Sequence, residues 1–382
     1  MRVHGRLRPR RLLVAATTGA VAVVIVLTGA LATVVAMAAP AGAHTVGGVN
    51  ATNYRTTIRS VSAGATGVTV RAIDNGDRLE LRNTGKQDVI VEGYDDEPYL
   101  RVGPRGAFEN TRSPARYLNR ARRNPEPPPA SADPTAAPEW KKVGSGTTVR
   151  WHDHRAHWMD TVDPPVVQRA PGEEHLIQAF TIVLRRGGET IRVKGDVRWI
   201  PGPSPWPWIA GAAVLAIGTV VAARRRAAAG VLGAVLAAAL TGAVVHAVGS
   251  WTYATNPFGN RAGDALPTIG AVALGAVALV QLRRRGLRAA APLLVFAGLF
   301  LGIAIGLADM SALSKSQLPT DLAPALDRLT IAVALGGGFG VAVGAAFHVA
   351  EHRPSPPPPP GATGPAAPGP RSENESHSMM KG

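Results

Sequence analysis

Five apolar segments in the C-terminal half constrain this chain most, because each approaches the ~20 residues that a helix needs to cross a bilayer. They lie at about 206–223, 227–249, 265–282, 289–308 and 328–350. Arginine clusters follow the first and third segments, at 224–226 and 283–285, and such clusters mark the cytoplasmic side. The sequence therefore predicts a bundle of five transmembrane helices, with the preceding domain outside the cell membrane and the C-terminal tail inside.

The N-terminus has the features of a secretory signal peptide. Five arginines among the first eleven residues precede an apolar stretch, and Ala41-Gly42-Ala43 forms an A-x-A cleavage site after Pro40. Because this stretch, 12–39, is longer than the ~7–15 residues of a usual signal, a retained membrane anchor stays the alternative. Cleavage makes His44 the first residue of the mature protein. The predicted boundaries are 1–43 for the signal peptide, 44–205 for the exported domain, 206–350 for the membrane region and 351–382 for a disordered, proline-rich cytoplasmic tail.

The exported domain contains several short runs in which apolar and polar side chains alternate. This pattern is typical of strands with one buried face. Clear examples are 67–73, 78–82, 88–92, 147–152, 176–184 and 190–193. Many short strands separated by turn signals favour an antiparallel β-sandwich of the immunoglobulin or cupredoxin type.

Composition excludes several functional classes. The chain carries a net charge of +15 at pH 7 and no cysteine, which excludes disulfides and thiolate metal sites. Its positive charge flanks apolar segments, so we expect the lipid bilayer as a partner and no nucleic acid. The motifs H-E-x-x-H and G-x-S-x-G and the P-loop are absent, so we expect no enzyme of those classes.

A histidine-rich segment in the exported domain is the main candidate site. His152, His154 and His157 lie within six positions of one another. If His152 and His154 lie on a strand, they share one face, because strand side chains alternate. A mature terminal His44 adds two nitrogen ligands, its amine and its ring, and the set suits a tetragonal Cu(II) site. We predict copper bound by these four histidines, with a hydrogen-bonded structural cluster as the alternative.

Two further places have less specific patterns. His246 is the only ionisable residue well inside a predicted membrane segment, and such residues are functional candidates. A thioether at Met310, in the outer loop after the fourth segment, would suit Cu(I) beside it, although both can be ordinary interface and loop residues. The acidic and aromatic segment 93–100 can supply a carboxylate or a tyrosine near the metal, or it can be a tight turn.

Several motifs give the chain a resemblance to a group of actinobacterial envelope proteins, which combine an exported β-domain with a C-terminal membrane bundle. The most specific are Trp151 to Arg155 with His157-Trp158-Met159, and Pro203 to Trp208; others are Gly93-Tyr94, Glu97 to Leu100, Asn110, Ser113 to Ala115 and Tyr117 to Asn119. More loosely, the chain is similar to periplasmic copper-resistance proteins of the C and D type, where a β-sandwich binds Cu(II) through a mature N-terminal histidine. That likeness implies copper chemistry, and copper-transport or envelope proteins as partners.

Three functions follow from these patterns. The first is a membrane-anchored extracytoplasmic protein that handles copper by binding, delivery, uptake or resistance. The second is an envelope protein without metal, whose β-domain binds a protein or wall partner while the helices anchor it. The third is an oxidative copper enzyme that uses the terminal histidine.

Overall fold

The computed structural model describes residues 49–62, 64–120, 127–255 and 258–350, apart from the side chains of 258–260 and 350. The predicted signal peptide, its cleavage site, His44 and the predicted tail lie outside the described residues. Strands occupy the N-terminal part of the described chain, and long helices occupy its C-terminal part.

The N-terminal β-domain, which the sequence predicts to be exported, is built from two antiparallel sheets. One has seven strands in the order β1-β10-β9-β4-β5-β6-β7, and the other has three in the order β2-β3-β8. The strands are β1 Tyr54–Val61, β2 Val68–Ile73, β3 Arg78–Asn83, β4 Val89–Glu92, β5 Pro98–Gly103, β6 Gly106–Asn110, β7 Trp140–Gly144, β8 Thr148–Trp151, β9 His175–Arg186 and β10 Glu189–Trp199. The prediction of antiparallel sheets is confirmed.

Both sheets bury side chains in one common cluster. Leu79 and Leu81 of β3 meet Val91 of β4 and Leu184 of β9 there, all with 0% exposure. Their spacing of two follows from the strand period, which sends alternate side chains to the same face. Full burial of each such side chain contributes ~1.5–3 kcal/mol, so the alternating runs of the sequence select the inner faces.

Two short helices lie within the exported domain, and the remaining helices form a bundle. They are α1 Pro114–Leu118, α2 Pro165–Arg169, α3 Trp206–Ala222, α4 Ala228–Tyr253, α5 Phe258–Leu301 and α6 Pro324–Ala350. A π-helical turn, Gly302–Leu307, extends α5, and a 3-10 turn, Met310–Ser314, follows it. Such π-helical turns are rare and concentrate at functional sites, so the residues after this one are candidates for a functional role.

Three of these helices are long and apolar enough to cross a membrane, at Ala228–Tyr253, Arg261–Leu307 and Pro324–Val349. Helix α3 has 17 residues and, at ~1.5 Å per residue, is shorter than the ~30 Å hydrocarbon core. The predicted third and fourth segments fall in one helical stretch that is interrupted at Gly286. The prediction of five transmembrane helices is therefore not supported, since by length and composition the described residues give three.

Gly286 changes the direction of the chain within α5. Its φ of 78° lies in the left-handed region, which glycine adopts without steric cost. Gly270 and Phe300 lie on opposite sides of this break, and a Cβ added to Gly270 would lie 3.4 Å from the Phe300 ring. The two halves of α5 therefore fold back on each other.

The exported domain rests on the bundle at two places. Thr52 exchanges backbone hydrogen bonds of 2.9 and 2.8 Å with Gln317, in the segment before α6, and Asn53 accepts another from Ser316 at 2.9 Å. On the other side, the Tyr253 hydroxyl at the end of α4 accepts a 2.8 Å hydrogen bond from the Asn75 backbone amide. The domain thus has a fixed orientation above the bundle.

Candidate functional site

The histidine-rich segment does not continue β8. This strand ends at Trp151, and residues 152–159 form turns, so His152 and His154 do not share a strand face as the sequence analysis considered. The His152 Nδ1 atom lies 2.9 Å from the backbone oxygen of Asp77 and 3.4 Å from its carboxylate. His152 is therefore directed to the residue that precedes β3.

The centre of the segment is a buried ion pair between Asp153 and Arg155. The fully buried Asp153 carboxylate accepts hydrogen bonds from the Trp151 indole at 3.0 Å and from Arg155 Nε and Nη2, both at 2.9 Å. Arg155 also donates to the backbone oxygens of Glu92 and Gly93. Burial acts to lower the pKa of Arg155, but the bonds to Asp153 outweigh it and raise that pKa. The pair fixes the turn onto the end of β4.

His154 and His157 lie beside this ion pair. Their ring centroids are 5.6 Å apart and nearly perpendicular, and His157 is buried. The backbone amide of His154 donates a 3.0 Å hydrogen bond to the Tyr94 hydroxyl, which in turn donates to Asn119. Burial, with a smaller contribution from the Asp153 carboxylate, raises the pKa of Tyr94. We call Tyr94, Trp151, Asp153, His154 and Arg155 the Asp153 cluster.

Three other segments singled out by motif, within 93–100, 113–115 and 117–119, lead to the same place. Glu97 is buried and accepts hydrogen bonds from the Ser113 hydroxyl at 2.5 Å and the Asp95 amide at 3.0 Å. The first part of the acidic and aromatic segment, 93–97, is therefore a tight turn held by its own glutamate, and 98–100 begin β5. Tyr94 belongs both to this segment and to the Asp153 cluster, and its hydroxyl donates a hydrogen bond to Asn119. These motifs thus meet in the folded domain although they are far apart in sequence.

Three of the four predicted copper ligands lie in the described residues, and they form two groups. His154 and His157 are adjacent, His152 faces Asp77, and His44 is outside the described residues. Among the residues with assigned positions, no group of three or more His, Asp and Glu side chains is arranged to hold a metal ion. The imidazole pair offers two of the nitrogens that a tetragonal Cu(II) site needs. Copper binding stays a prediction.

A second unusual site lies at the end of the bundle that meets the β-domain. His246 of α4 is between two carboxylates: Nδ1 is 2.8 Å from Asp327 of α6, and Nε2 is 3.4 Å from Asp309, which follows the π-helical turn. Asp327 is only 1% exposed. Met310 packs against an apolar cluster that includes Leu313. We call His246, Asp309 and Asp327 the His246 site.

The sequence pattern indicated His246 but not Asp327. The fifth predicted segment begins at 328, one residue after it, and the two residues are 81 positions apart. An acidic residue directly before an apolar helix was the available signal. Only the fold shows that this residue faces the histidine.

A cavity of about 240 Å³ adjoins the His246 site. Its wall includes the three residues of the site, together with Trp251, Arg261 and Asp264 of the bundle and Val49, Asn50 and Ala51 of the exported domain. The cavity is large enough for several water molecules, each of which occupies ~30 Å³ in the liquid. The two parts of the protein therefore share one cavity, whose wall holds the charged groups of the His246 site.

The described residues thus contain two histidine sites of different chemistry, one in the exported domain and one at its junction with the bundle. No protein-family model, curated protein or solved structure matches this chain.

Proposed function

We propose that this protein is an integral membrane protein of the cell envelope, which couples an extracytoplasmic β-domain to a proton-binding site in its helix bundle. The observation that carries the proposal is the position of His246 between Asp309 and Asp327. The β-domain presents its outer surface to protein or wall partners.

In the proposed topology the chain crosses the membrane five times. The crossings are α3, α4, the two halves of α5, and α6. The topology is supported by the fold-back at Gly286, directly after Arg283–Arg285, because arginines of this kind favour the cytoplasmic side. Helix α3 runs beside α6 in the same direction, since Ala212 lies next to Gly336 and Ala223 next to Gly344. A short helix such as α3 spans a bilayer when the bilayer thins locally. This topology puts the β-domain outside and the tail inside.

The His246 site is complementary to an imidazolium. A neutral imidazole has one N–H, whereas the protonated ring has two. Both ring nitrogens of His246 face carboxylate oxygens, so only the protonated ring donates to both partners. Buried carboxylates without a partner cost several kcal/mol each in a medium of low polarity. One proton on His246 therefore stabilises the whole site.

Asp309 connects this proton to the exported domain. Asp309 is the more distant partner of His246, at 3.4 Å. It also begins the segment that leads to Ser316 and Gln317. These two residues bind Asn53 and Thr52 of the domain. Loss of the proton from Nε2 removes the hydrogen bond that His246 donates to Asp309. The release of Asp309 then affects the segment after it, and through that segment the hydrogen bonds between bundle and domain.

The proposal is tested by nuclear magnetic resonance of the full chain in detergent, with ¹⁵N-labelled histidines. A difference spectrum against His246→Gln assigns the His246 ring. We expect a doubly protonated ring at neutral pH, because both ring nitrogens face carboxylates. Asp309→Asn should reduce this signal, whereas Asp264→Asn, on the same cavity but without a contact to His246, is the matched control. A single neutral tautomer in the wild-type chain would refute the proposal.

Copper handling is the second candidate function, and the pairing of His154 with His157 favours it. Its test is Cu(II) titration of the full chain, with electron paramagnetic resonance to report the ligand atoms. One-to-one binding with a nitrogen-rich spectrum, weakened by His154→Gln and retained in His175→Gln, supports it. His175 is a fair control because its ring contacts only a local backbone oxygen, that of Ala170. Weak binding that exceeds one copper per chain contradicts this function.

A further inference from the structure

Alternation in the three-stranded sheet places several arginines on its outward face. Arg71 of β2 and Arg150 of β8 both lie opposite Glu80 of the central strand β3. Arg78 and Arg82 are two residues before and after Glu80, so they share its face. The residues between them point into the core. This outward face, which we call the arginine face, therefore carries four arginines and one glutamate on its strands.

The acidic groups near this face do not balance its positive charge. Glu80 accepts hydrogen bonds from Arg71 at 2.6 Å and from Arg150 at 2.7 Å. Burial acts to raise the pKa of Glu80, but the two guanidinium groups outweigh it and lower that pKa. Arg78 pairs with Asp74 at 2.6 Å, while Arg82 is exposed. Arg71 and Arg150 thus share the carboxylate of Glu80, and the exposed Arg82 adds a further positive charge.

The arginine face borders the outer end of the bundle. Arg78 and Arg150 donate hydrogen bonds of 2.9 Å to the side chain and backbone of Thr255, just after α4. A polar cleft of about 780 Å³ lies between sheet and bundle. Its wall holds four arginines and two aspartates: Arg71, Arg78, Arg150, Arg261, Asp74 and Asp321. The Arg261 guanidinium lies over the Trp251 ring, 5.0 Å from its centroid.

Trp251 indicates where this cleft lies relative to the bilayer. Tryptophan is enriched at the level of lipid headgroups, where its apolar ring and polar N–H are both accommodated. Trp251 is in the last turn of α4, an apolar helix. Arg261 and the arginine face next to it are therefore at headgroup level or slightly above it, where phosphate is the most abundant anion.

We propose that the arginine face and its cleft bind the phosphate groups of anionic phospholipid headgroups from the outer leaflet. Guanidinium groups form paired hydrogen bonds to phosphate oxygens, which an ammonium does not. Arg71 has 60% of its side chain exposed and Arg150 has 39%, so both reach a phosphate without losing Glu80. The proposal concerns residues outside the His246 site and does not depend on its protonation.

The test uses the full chain in a neutral detergent, titrated with short-chain phosphatidylglycerol or with phosphatidylcholine of the same chain length. Binding is followed by the thermal unfolding midpoint and by tryptophan fluorescence. We expect phosphatidylglycerol to bind about tenfold more tightly, and the preference to weaken as salt screens it. The double variant R71Q/R82Q should lose most of this preference, while both lipids still bind weakly through their chains.

The matched control is R105Q/R192Q. It removes the same charge from exposed arginines of the seven-stranded sheet, away from the cleft. A similar loss in this control would attribute the effect to net charge and contradict the proposal. Equal affinity for the two lipids would also contradict it. Full protection by inorganic phosphate at millimolar concentration would identify a site for free phosphate and not for a lipid headgroup.

Discussion

The Asp153 cluster and the His246 site are both buried charged groups, but they differ in which residue holds the positive charge. Asp153 is bound by two nitrogens of one arginine, whose guanidinium does not lose its proton in proteins. In the bundle, two aspartates share one imidazole, a group that can bind or release a proton. The first arrangement is permanent and suits structure, and the second suits a switch. His154 and His157 therefore lie beside a structural ion pair, whereas His246 is itself the ionising group.

The largest expected effect comes from breaking the permanent pair. Asp153→Ala leaves the Arg155 guanidinium buried without its carboxylate, so the free energy of unfolding should fall by about 3–5 kcal/mol. Chemical denaturation of the full chain, followed by tryptophan fluorescence, measures this loss. Glu189→Gln is the control, because its exposed pair with Arg186 should contribute at most ~1 kcal/mol. Equal losses in the two variants would show that Asp153 is not structural.

A smaller loss is expected from the bundle. Asp327→Asn keeps the shape of the His246 site but removes one charge, so the hydrogen bond to the imidazolium should weaken by about 1.5–3 kcal/mol. The thermal unfolding midpoint of the full chain at neutral pH reports it. Asp264→Asn should stay within ~0.5 kcal/mol of the wild type. If Asp327→Asn unfolds like the wild type, the site does not hold an imidazolium.

The smallest loss concerns the hydrogen bonds around Tyr94. Tyr94→Phe removes the acceptor of the His154 amide and the donor to Asn119, at a cost of about 1 kcal/mol. Tyr54→Phe loses one bond to Asp163 at an exposed position and should cost less. Denaturation curves of both variants compare them directly, and a larger loss for Tyr54→Phe would contradict this assignment.

The raised pKa of Tyr94 also predicts how the free energy of unfolding changes at alkaline pH. Its phenol has a raised pKa in the folded protein because of burial, so the folded state retains a proton that the unfolded state releases above ~10. Stability should therefore fall as the pH rises above that value. Tyr94→Phe should make this fall shallower, and unfolding curves collected over the alkaline range measure it.

Local patterns predicted the strands, because alternation directly reports which side chains meet the core. They placed the end of β8 within one residue, at 152 against the observed Trp151, but alternation through His154 left open a longer strand. The Asp153 carboxylate binds the backbone amide of Arg155, and such local bonds from aspartate compete with a strand ladder. Apolar composition located the membrane helices but not their number, which depends on the short α3 and on the break at Gly286. The partnership of His246 with Asp327 depends on helix packing, which no local pattern contains.

The pairing of β1 with β10 has a mechanical consequence. Tyr54 is opposite Trp199, and Val61 is opposite Val193. The start of β1 and the end of β10, which leads to α3, therefore lie together at the end of the ladder nearest the bundle. A force that pulls the far end of the domain away from the membrane acts along the two strands. Their hydrogen bonds are then loaded in shear and resist together, whereas a ladder pulled from one end opens one bond at a time.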